Sequence, residues 1–192
     1  LNIIQDLKQS MDYFLANKVG NIEKEFQQLI VRENNYSRIA NSTDYYIIDF
    51  EYNNGEGARF DLIGVEWKSE AAIRKLSKGH KPKLCFMEVK YGDNAIEDKP
   101  KSPGIKKHIA DFEKFYSDNL KIGKVKNEMI EIFKQKRELG LINNLDEYKN
   151  VVNGFSDEVD FVIILINHDP ASAILEKVIN EILLKPFNFN LK

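Results

Sequence analysis

Hydrophobic positions recur along this chain with two periods, which predict helices in the first third and strands in the middle. Apolar residues recur every three or four positions in 3–15 and again in 22–33, a pattern typical of amphipathic helices. Residues 45–52 and 59–67 have the composition of two strands. The Gly-rich loop Asn-Asn-Gly-Glu-Gly between them suits a hairpin.

The second half of the chain continues with a strand, helices and a further strand. An apolar strand at 86–92 is followed by helical patterns from Ile105 and at 126–139. The run 161–167 is apolar as far as Ile166, which is typical of a strand buried on both faces, and a helix is predicted at 171–184. The order α-β-β-β-α-β-α predicts a mixed α/β (α+β) fold, with a central mixed sheet of four to five strands flanked by helices.

Composition restricts the class of protein. A chain of 192 residues with 43% hydrophobic and 30% charged residues suits one folded domain, residues 1–192. Its longest apolar stretch, 161–166, is far shorter than the roughly 20 residues that span a bilayer, and no secretory signal is visible. Cys85 is the only cysteine, which excludes an intrachain disulfide and fits a reducing cytoplasm. We therefore expect a cytoplasmic protein without membrane contacts.

The chemistry-bearing feature is a charged pair on the strand 86–92. Side chains two apart in a strand point to the same face, so Glu88 and Lys90 project together. Burying both charges is costly unless they are paired or bind a metal. A structural ion pair explains them as well as a functional site does. Asp61, on the preceding strand, favours the functional interpretation, because it can lie beside Glu88 if the two strands pair.

Two carboxylates on adjacent strands are suitable oxygen ligands for a hard cation such as Mg²⁺. Such a cation polarises a phosphate and lowers the pKa of a bound water, and a nearby lysine stabilises charge on the phosphate. The sequence supplies both parts, with Asp61 and Glu88 as ligands and Lys90 as the lysine.

An Asp followed, after a spacer, by Glu-x-Lys on an apolar strand resembles the catalytic motif of the PD-(D/E)XK nuclease superfamily, whose fold is restriction-endonuclease-like. The resemblance covers a core of about 22–167, with helical additions at both ends. It implies that Asp61, Glu88 and the backbone carbonyl of Val89 bind Mg²⁺ or Mn²⁺, and that Lys90 is the catalytic lysine. It also implies a deoxyribonuclease, endo or exo.

Two further positions follow from the same resemblance. Many members carry a glutamate on the helix before the first strand, and among Glu23, Glu25 and Glu33 we favour Glu25 as an additional metal ligand. Members related to exonucleases place a Gln or His on the helix after the Glu-x-Lys strand. His108 matches that position as an accessory residue, although a histidine packed at a helix edge explains it equally.

Charge is unevenly distributed although the net charge is only −2. Residues 66–107 hold 11 Lys or Arg against 6 Asp or Glu, and this excess brackets the Glu-Val-Lys strand. A solvated basic loop is the ordinary interpretation, and attraction of nucleic-acid phosphates is the functional one. The lysines expected to contact phosphates are Lys68, Lys75, Lys78, Lys81, Lys83, Lys106 and Lys107.

Three functions remain open at this level. The leading hypothesis is a metal-dependent nuclease that hydrolyses phosphodiester bonds of nucleic acid, most simply DNA. The alternative is a catalytically silent protein of the same fold that binds nucleic acid or another protein. The third is an unrelated α/β domain in which Glu88 and Lys90 form a structural pair. The C-terminal run 182–191 is expected to pack on the core, with a homodimer interface as the alternative.

Overall fold

The computed structural model describes residues 10, 11, 13, 22–36, 43–53, 55, 59–66, 81–100, 102–142 and 152–192. Helix 3–15 and most of the basic connection 69–83 lie outside these ranges. The elements are α1 (Ile22–Tyr36), β1 (Tyr45–Asn53), β2 (Arg59–Glu66), β3 (Leu84–Tyr91), α2 (Ile105–Tyr116), α3 (Asn119–Glu138), β4 (Val159–Ile166), α4 (Ala173–Leu183) and β5 (Asn190–Leu191), with a short 3₁₀ turn at Asp93–Ala95.

The strands form one mixed sheet of five strands in the described part of the chain, in the order β1-β2-β3-β4-β5. Strand β2 pairs antiparallel with β1 and β3, whereas β3 pairs parallel with β4 and β4 with β5. A parallel neighbour requires a long crossover, and helices α2 and α3 supply it between β3 and β4. The mixed α/β class and the five-stranded mixed sheet that the sequence predicts are confirmed.

Helices cover both faces of the sheet. Side chains of α1, Ile30 and Val31, pack on a small cluster that includes Leu62 and Met87. The other face carries the larger core, in which aromatic residues of the sheet meet helices α2, α3 and α4. Strand β3 lies at the centre and is buried from Leu84 to Lys90. A charge on this strand is therefore enclosed by apolar neighbours, as its sequence indicates.

Two predicted elements differ from the structure. Helix α3 begins at Asn119, well before the predicted 126, because the side chain of Asp118 caps it by accepting hydrogen bonds from the N–H groups of Leu120 and Lys121. Strand β4 is completely buried only at its start and is half-buried from residue 162 onward. Its outer neighbour β5 has two residues, so among the described residues no strand lies beside the far end of β4 on that side.

Most apolar side chains of the C-terminal run 182–191 pack on the core, as the sequence predicts, whereas Leu183 and Leu184 are exposed. Phe189 is 7% exposed within the larger core, and Asn190–Leu191 extends the sheet. Asp160 anchors this segment by accepting hydrogen bonds from Tyr45 (2.6 Å), Asn190 (3.0 Å) and Lys192 (2.8 Å). Burial alone would raise the pKa of Asp160, but these three hydrogen bonds lower it overall.

A close backbone approach positions the start of α2. Asp98 accepts hydrogen bonds from the N–H groups of Gly104 (2.7 Å) and Lys107 (3.3 Å), so it satisfies free donors of the first helical turn. A Cβ at Gly104 would lie 2.5 Å from the carbonyl carbon of Glu97, closer than real contacts allow. Glycine at this position therefore lets the loop after β3 lie close to the start of α2, the helix that carries His108.

No helix in the described ranges is long and apolar enough to cross a membrane.

Candidate functional site

Glu88 and Lys90 form a buried ion pair on the central strand. They are 5% and 7% exposed, and Lys90 Nζ lies 2.9 Å from Glu88 Oε1. The contact follows from the strand geometry, because residues two apart share a face. Glu88 and Lys90 therefore form the salt bridge that the structural interpretation predicts. It does not exclude a functional role, since a catalytic pair is arranged in the same way.

The sheet register brings Asp61 to this pair. Leu62 faces Met87 across the antiparallel β2–β3 ladder, and one further step places Asp61 opposite Glu88. Asp61 Oδ2 accepts a hydrogen bond of 2.8 Å from the N–H of Val89. Because the N–H and C=O of one strand residue point to the same side, the carbonyl of Val89 also faces the strand that carries Asp61. The three groups expected as ligands thus lie together.

Helix α2 adds His108 from above the strand. Its Nδ1 lies 3.0 Å from Glu88 Oε1, the oxygen that Lys90 also contacts. Its Nε2 is buried and has no hydrogen-bond partner among the described residues. Burial, together with the positive charge of Lys90, lowers the pKa of His108 to about 4. The imidazole is therefore neutral at pH 7, it donates a hydrogen bond to the backbone carbonyl of Pro103, and it lies in close contact with the carboxyl group of Glu88.

The structure places Glu23, not Glu25, at the cavity. Glu25 is exposed, whereas Glu23 is half-buried and its carboxylate accepts a hydrogen bond from the N–H of Tyr91. The rotation of α1 is set by Phe26, whose ring stacks on Tyr91 with centroids 5.3 Å apart. Glu23 is one turn before Phe26 on the same helix face, but Glu25 is two positions from Glu23 and points elsewhere. Glu33 is exposed and contacts Arg32.

Burial raises the pKa values of the three carboxylates in this group, and the charge of Asp61 adds to the effect on Glu88 and Glu23. Burial raises the pKa of Glu88 to about 7, with a further contribution from Asp61, and Lys90 opposes both. Burial also raises the pKa of Asp61, although the Val89 N–H and Lys90 act in the other direction. Burial is likewise the main cause of the raised pKa of Glu23. One lysine therefore does not compensate the negative charge of this group, and a cation would lower its free energy.

These residues suit only a metal cation that needs few protein ligands. Among the residues that the structure describes, no group of three or more His, Cys, Asp or Glu could hold a metal ion. Mg²⁺ does not require such a cage, because it binds through one or two carboxylates and keeps waters and substrate phosphates as its other ligands. Lys90 and His108 both contact Oε1 of Glu88, and neither contact involves Oε2. Two carboxylates and a carbonyl are oxygen ligands of the kind that Mg²⁺ takes.

These groups line a cavity of about 710 Å³ that opens between the sheet and helices α2 and α3. The acidic residues and Lys90 share it with other charged side chains that the sequence did not single out. The charged and histidine residues of its lining are Glu23, Arg59, Asp61, Glu88, Lys90, His108, Asp111, Lys114, Asp118 and Lys121. Arg59 was identifiable, because it precedes Asp61 by two strand positions. Lys114 and Lys121 carried no such signal, since their placement depends on how α2 and α3 pack.

The lysines predicted to contact phosphates are not part of this cavity. Lys83 pairs with Glu158 (2.5 Å) and Lys106 pairs with Glu181 (2.7 Å). Lys107 pairs with Asp111, and Lys81 is exposed. None of these four lines the cavity, and Lys68, Lys75 and Lys78 lie outside the described residues.

For Lys83 the physical reason is the length of β3. Lys83 directly precedes the strand and Lys90 is its penultimate residue, and seven residues of extended chain separate them by about 23 Å. Lys83 is therefore near the Glu-Val-Lys motif in sequence but lies at the opposite end of the strand.

No family model, curated protein or solved structure matches this chain.

Proposed function

We propose that this protein is a metal-dependent nuclease that hydrolyses phosphodiester bonds of nucleic acid, most simply DNA. The observation that carries the proposal is the convergence of Asp61, Glu88 and Lys90 in one cavity, with Glu88 buried and its pKa raised to about 7. Perturbed carboxylates grouped around a lysine in a cavity are characteristic of catalytic sites. The proposal includes a restriction-endonuclease-like fold and a cytoplasmic location.

Each residue has a role in this proposal. Asp61, Glu88 and the Val89 carbonyl would hold Mg²⁺ or Mn²⁺, with Glu23 close enough to contribute. When bound, the cation supplies polarisation of the phosphate and a more acidic water. In the hydrolysis, the water loses one proton and its oxygen bonds to phosphorus, the bond from phosphorus to the leaving oxygen breaks, and the leaving oxygen takes up one proton. Lys90 stabilises the negative charge that develops on the phosphate oxygens.

His108 acts through Glu88 as a positioning residue. At 3.0 Å from Oε1, its neutral ring holds the carboxyl group in one orientation, and Lys90 holds it from the other side. A carboxyl group held at two points loses less freedom when it binds a cation, because its rotamer is already set.

The test is cleavage of labelled single-stranded, duplex and branched DNA in Mg²⁺ or Mn²⁺, compared with EDTA. We expect Lys90→Ala and Asp61→Ala to lower the rate about a hundredfold or more, the cost of losing a group that stabilises the transition state. Lys83→Ala is the matched control, since it removes a lysine at the other end of the same strand. Calorimetry with Mn²⁺ gives an independent readout, in which Asp61→Ala should lose the binding. If wild type neither binds metal nor cleaves any substrate, the proposal is wrong.

A second candidate function is a protein of this fold that binds nucleic acid without cutting it. One observation favours this candidate. Lys90 and His108 both contact Glu88 Oε1, so these contacts must loosen before that oxygen can bind a metal ion. Binding to DNA that persists with no cleavage in either metal would support this candidate over the nuclease.

A further inference from the structure

We infer that the cavity takes an unpaired strand of nucleic acid, whose backbone phosphates are held by Arg59 and Lys114. This inference rests on the proposed function and adds its substrate class. It uses side chains that the proposed chemistry does not, and it concerns binding, so it can be tested without any cleavage.

The burial of the site favours an unpaired strand over an intact duplex. Glu88 and Lys90 are 5% and 7% exposed and line a cavity of about 710 Å³. A volume of this size is typical of a pocket for a small ligand. A duplex is a stiff rod that keeps each phosphate on its outer surface, so its phosphates reach a recess only where the recess admits the whole rod. An unpaired strand is flexible, and enzymes with recessed sites act on single strands or on extruded nucleotides.

The lining of the cavity carries charges of both signs, and two of its cations are exposed. Arg59 and Lys114 take part in no ion pair within the described residues. Of the nearby carboxylates, Asp111 pairs with Lys107 and Asp118 with Lys121. Asp61 lies close enough to Arg59 for that charge to act against the raised pKa of Asp61. Cations that line a cavity without a protein partner are suited to contact phosphate oxygens.

The spacing along α2 indicates which phosphates these are. Lys114 is six residues beyond His108, which corresponds to about 9 Å along the helix axis. His108 contacts Glu88 at the catalytic group, whereas Arg59 lies on β2 beside Asp61. Arg59 and Lys114 therefore reach the cavity from two different elements, β2 and α2. They would hold phosphates that neighbour the one to be cleaved, which keeps the strand across the carboxylates.

The experiment measures binding in EDTA, so that bound strands are not cut. Fluorescently labelled DNA and RNA single strands are compared with a blunt duplex of the same sequence by anisotropy over a range of salt concentrations. Each lost phosphate contact should reduce the slope of log K against log[salt] by about 0.7, equivalent to about fivefold weaker binding near 0.1 M salt. We expect this change for Arg59→Gln and for Lys114→Gln. Lys134→Gln removes a half-buried lysine of α3 that pairs with Glu131 outside the cavity, so it is the control and should change neither the affinity nor the slope.

The outcomes separate this inference from the nuclease proposal. Tighter binding of single strands than of blunt duplex, with reduced slopes in both variants, supports the inference. Equal binding of duplex, or unchanged slopes in both variants, overturns it even if the protein cleaves DNA. Supported strand binding with no cleavage in Mg²⁺ or Mn²⁺ overturns the nuclease and leaves the strand site in place. A thermal melt of each variant checks that it is folded. If one variant is misfolded, the other still tests the inference.

Discussion

Replacing Glu88 with glutamine should make the metal-free protein more stable at neutral pH. Glutamine has nearly the shape of a protonated glutamic acid, and it cannot carry the charge that burial and Asp61 disfavour. The replacement is thus expected to abolish the proposed activity and to increase the free energy of unfolding. Such a trade-off is typical of catalytic sites, where function requires groups that the fold disfavours.

The magnitude follows from the pKa of Glu88, which is raised from 4.5 to about 7. Between these two values the folded state binds more protons than the unfolded state, so the contribution of Glu88 to stability falls as the pH rises. Above pH 7 the loss is complete. A shift of that size corresponds to about 3 kcal/mol, at about 1.4 kcal/mol for each pKa unit. Glu88→Gln should therefore gain about 3 kcal/mol relative to wild type at pH 8 and almost nothing below pH 4.5.

His108 supplies a control with the opposite sign. Its pKa is lowered from 6.5 to about 4, so between these values the folded state binds fewer protons than the unfolded state. Its contribution to stability therefore rises as the pH rises. His108→Asn should gain stability over wild type near pH 4, and that gain should disappear above pH 6.5.

The assay is urea unfolding in EDTA at intervals from pH 4 to pH 8, with the difference between each variant and wild type plotted against pH. Differences are needed because the two groups oppose each other in wild type over nearly the same range. Two rising or two falling difference curves would refute the assigned pKa directions. A difference for Glu88→Gln that stays flat from pH 4.5 to pH 8 would show that Glu88 is not held in a charge-disfavouring environment.

Two further predictions concern the frame around the site. Gly104→Ala should destabilise the protein by about 1–3 kcal/mol, because its Cβ would meet the backbone of Glu97. The control is Gly123→Ala in α3, whose Cβ meets nothing within 4 Å, so it should be neutral or stabilising by up to about 1 kcal/mol. Thermal melts compare the two variants, and equal effects on stability would contradict the close approach at Gly104. Asp160→Asn should lower the free energy of unfolding by about 1–3 kcal/mol at pH 7, because the charge-assisted hydrogen bond to Lys192 is present only when Asp160 is ionised. The loss should shrink as the pH falls through the lowered pKa of Asp160. Urea unfolding measures the loss, and a loss independent of pH would contradict this reasoning.

The elements of this fold could be predicted because their signals are local. Strand β1 begins at Tyr45, as its apolar pattern predicts, and α2 begins at Ile105. The common face of Glu88 and Lys90 also follows from a two-residue period. Strand β5 could not be predicted, since two residues carry no periodic signal and Asn190–Leu191 becomes a strand only by pairing with β4.

The sequence by itself thus determined the order of the elements, the mixed α/β class and the shared face of Glu88 and Lys90, all of which depend on neighbours a few residues apart. Only the tertiary structure decided which distant groups join them. The register of β2 and β3 places Asp61 beside Glu88. Glu23, rather than Glu25, lines the cavity because Phe26 packs on Tyr91 and sets the rotation of α1. Lys83 is excluded from the cavity by the length of β3. Register, helix rotation and strand length position side chains over many ångströms, and the packing of the whole sheet fixes them.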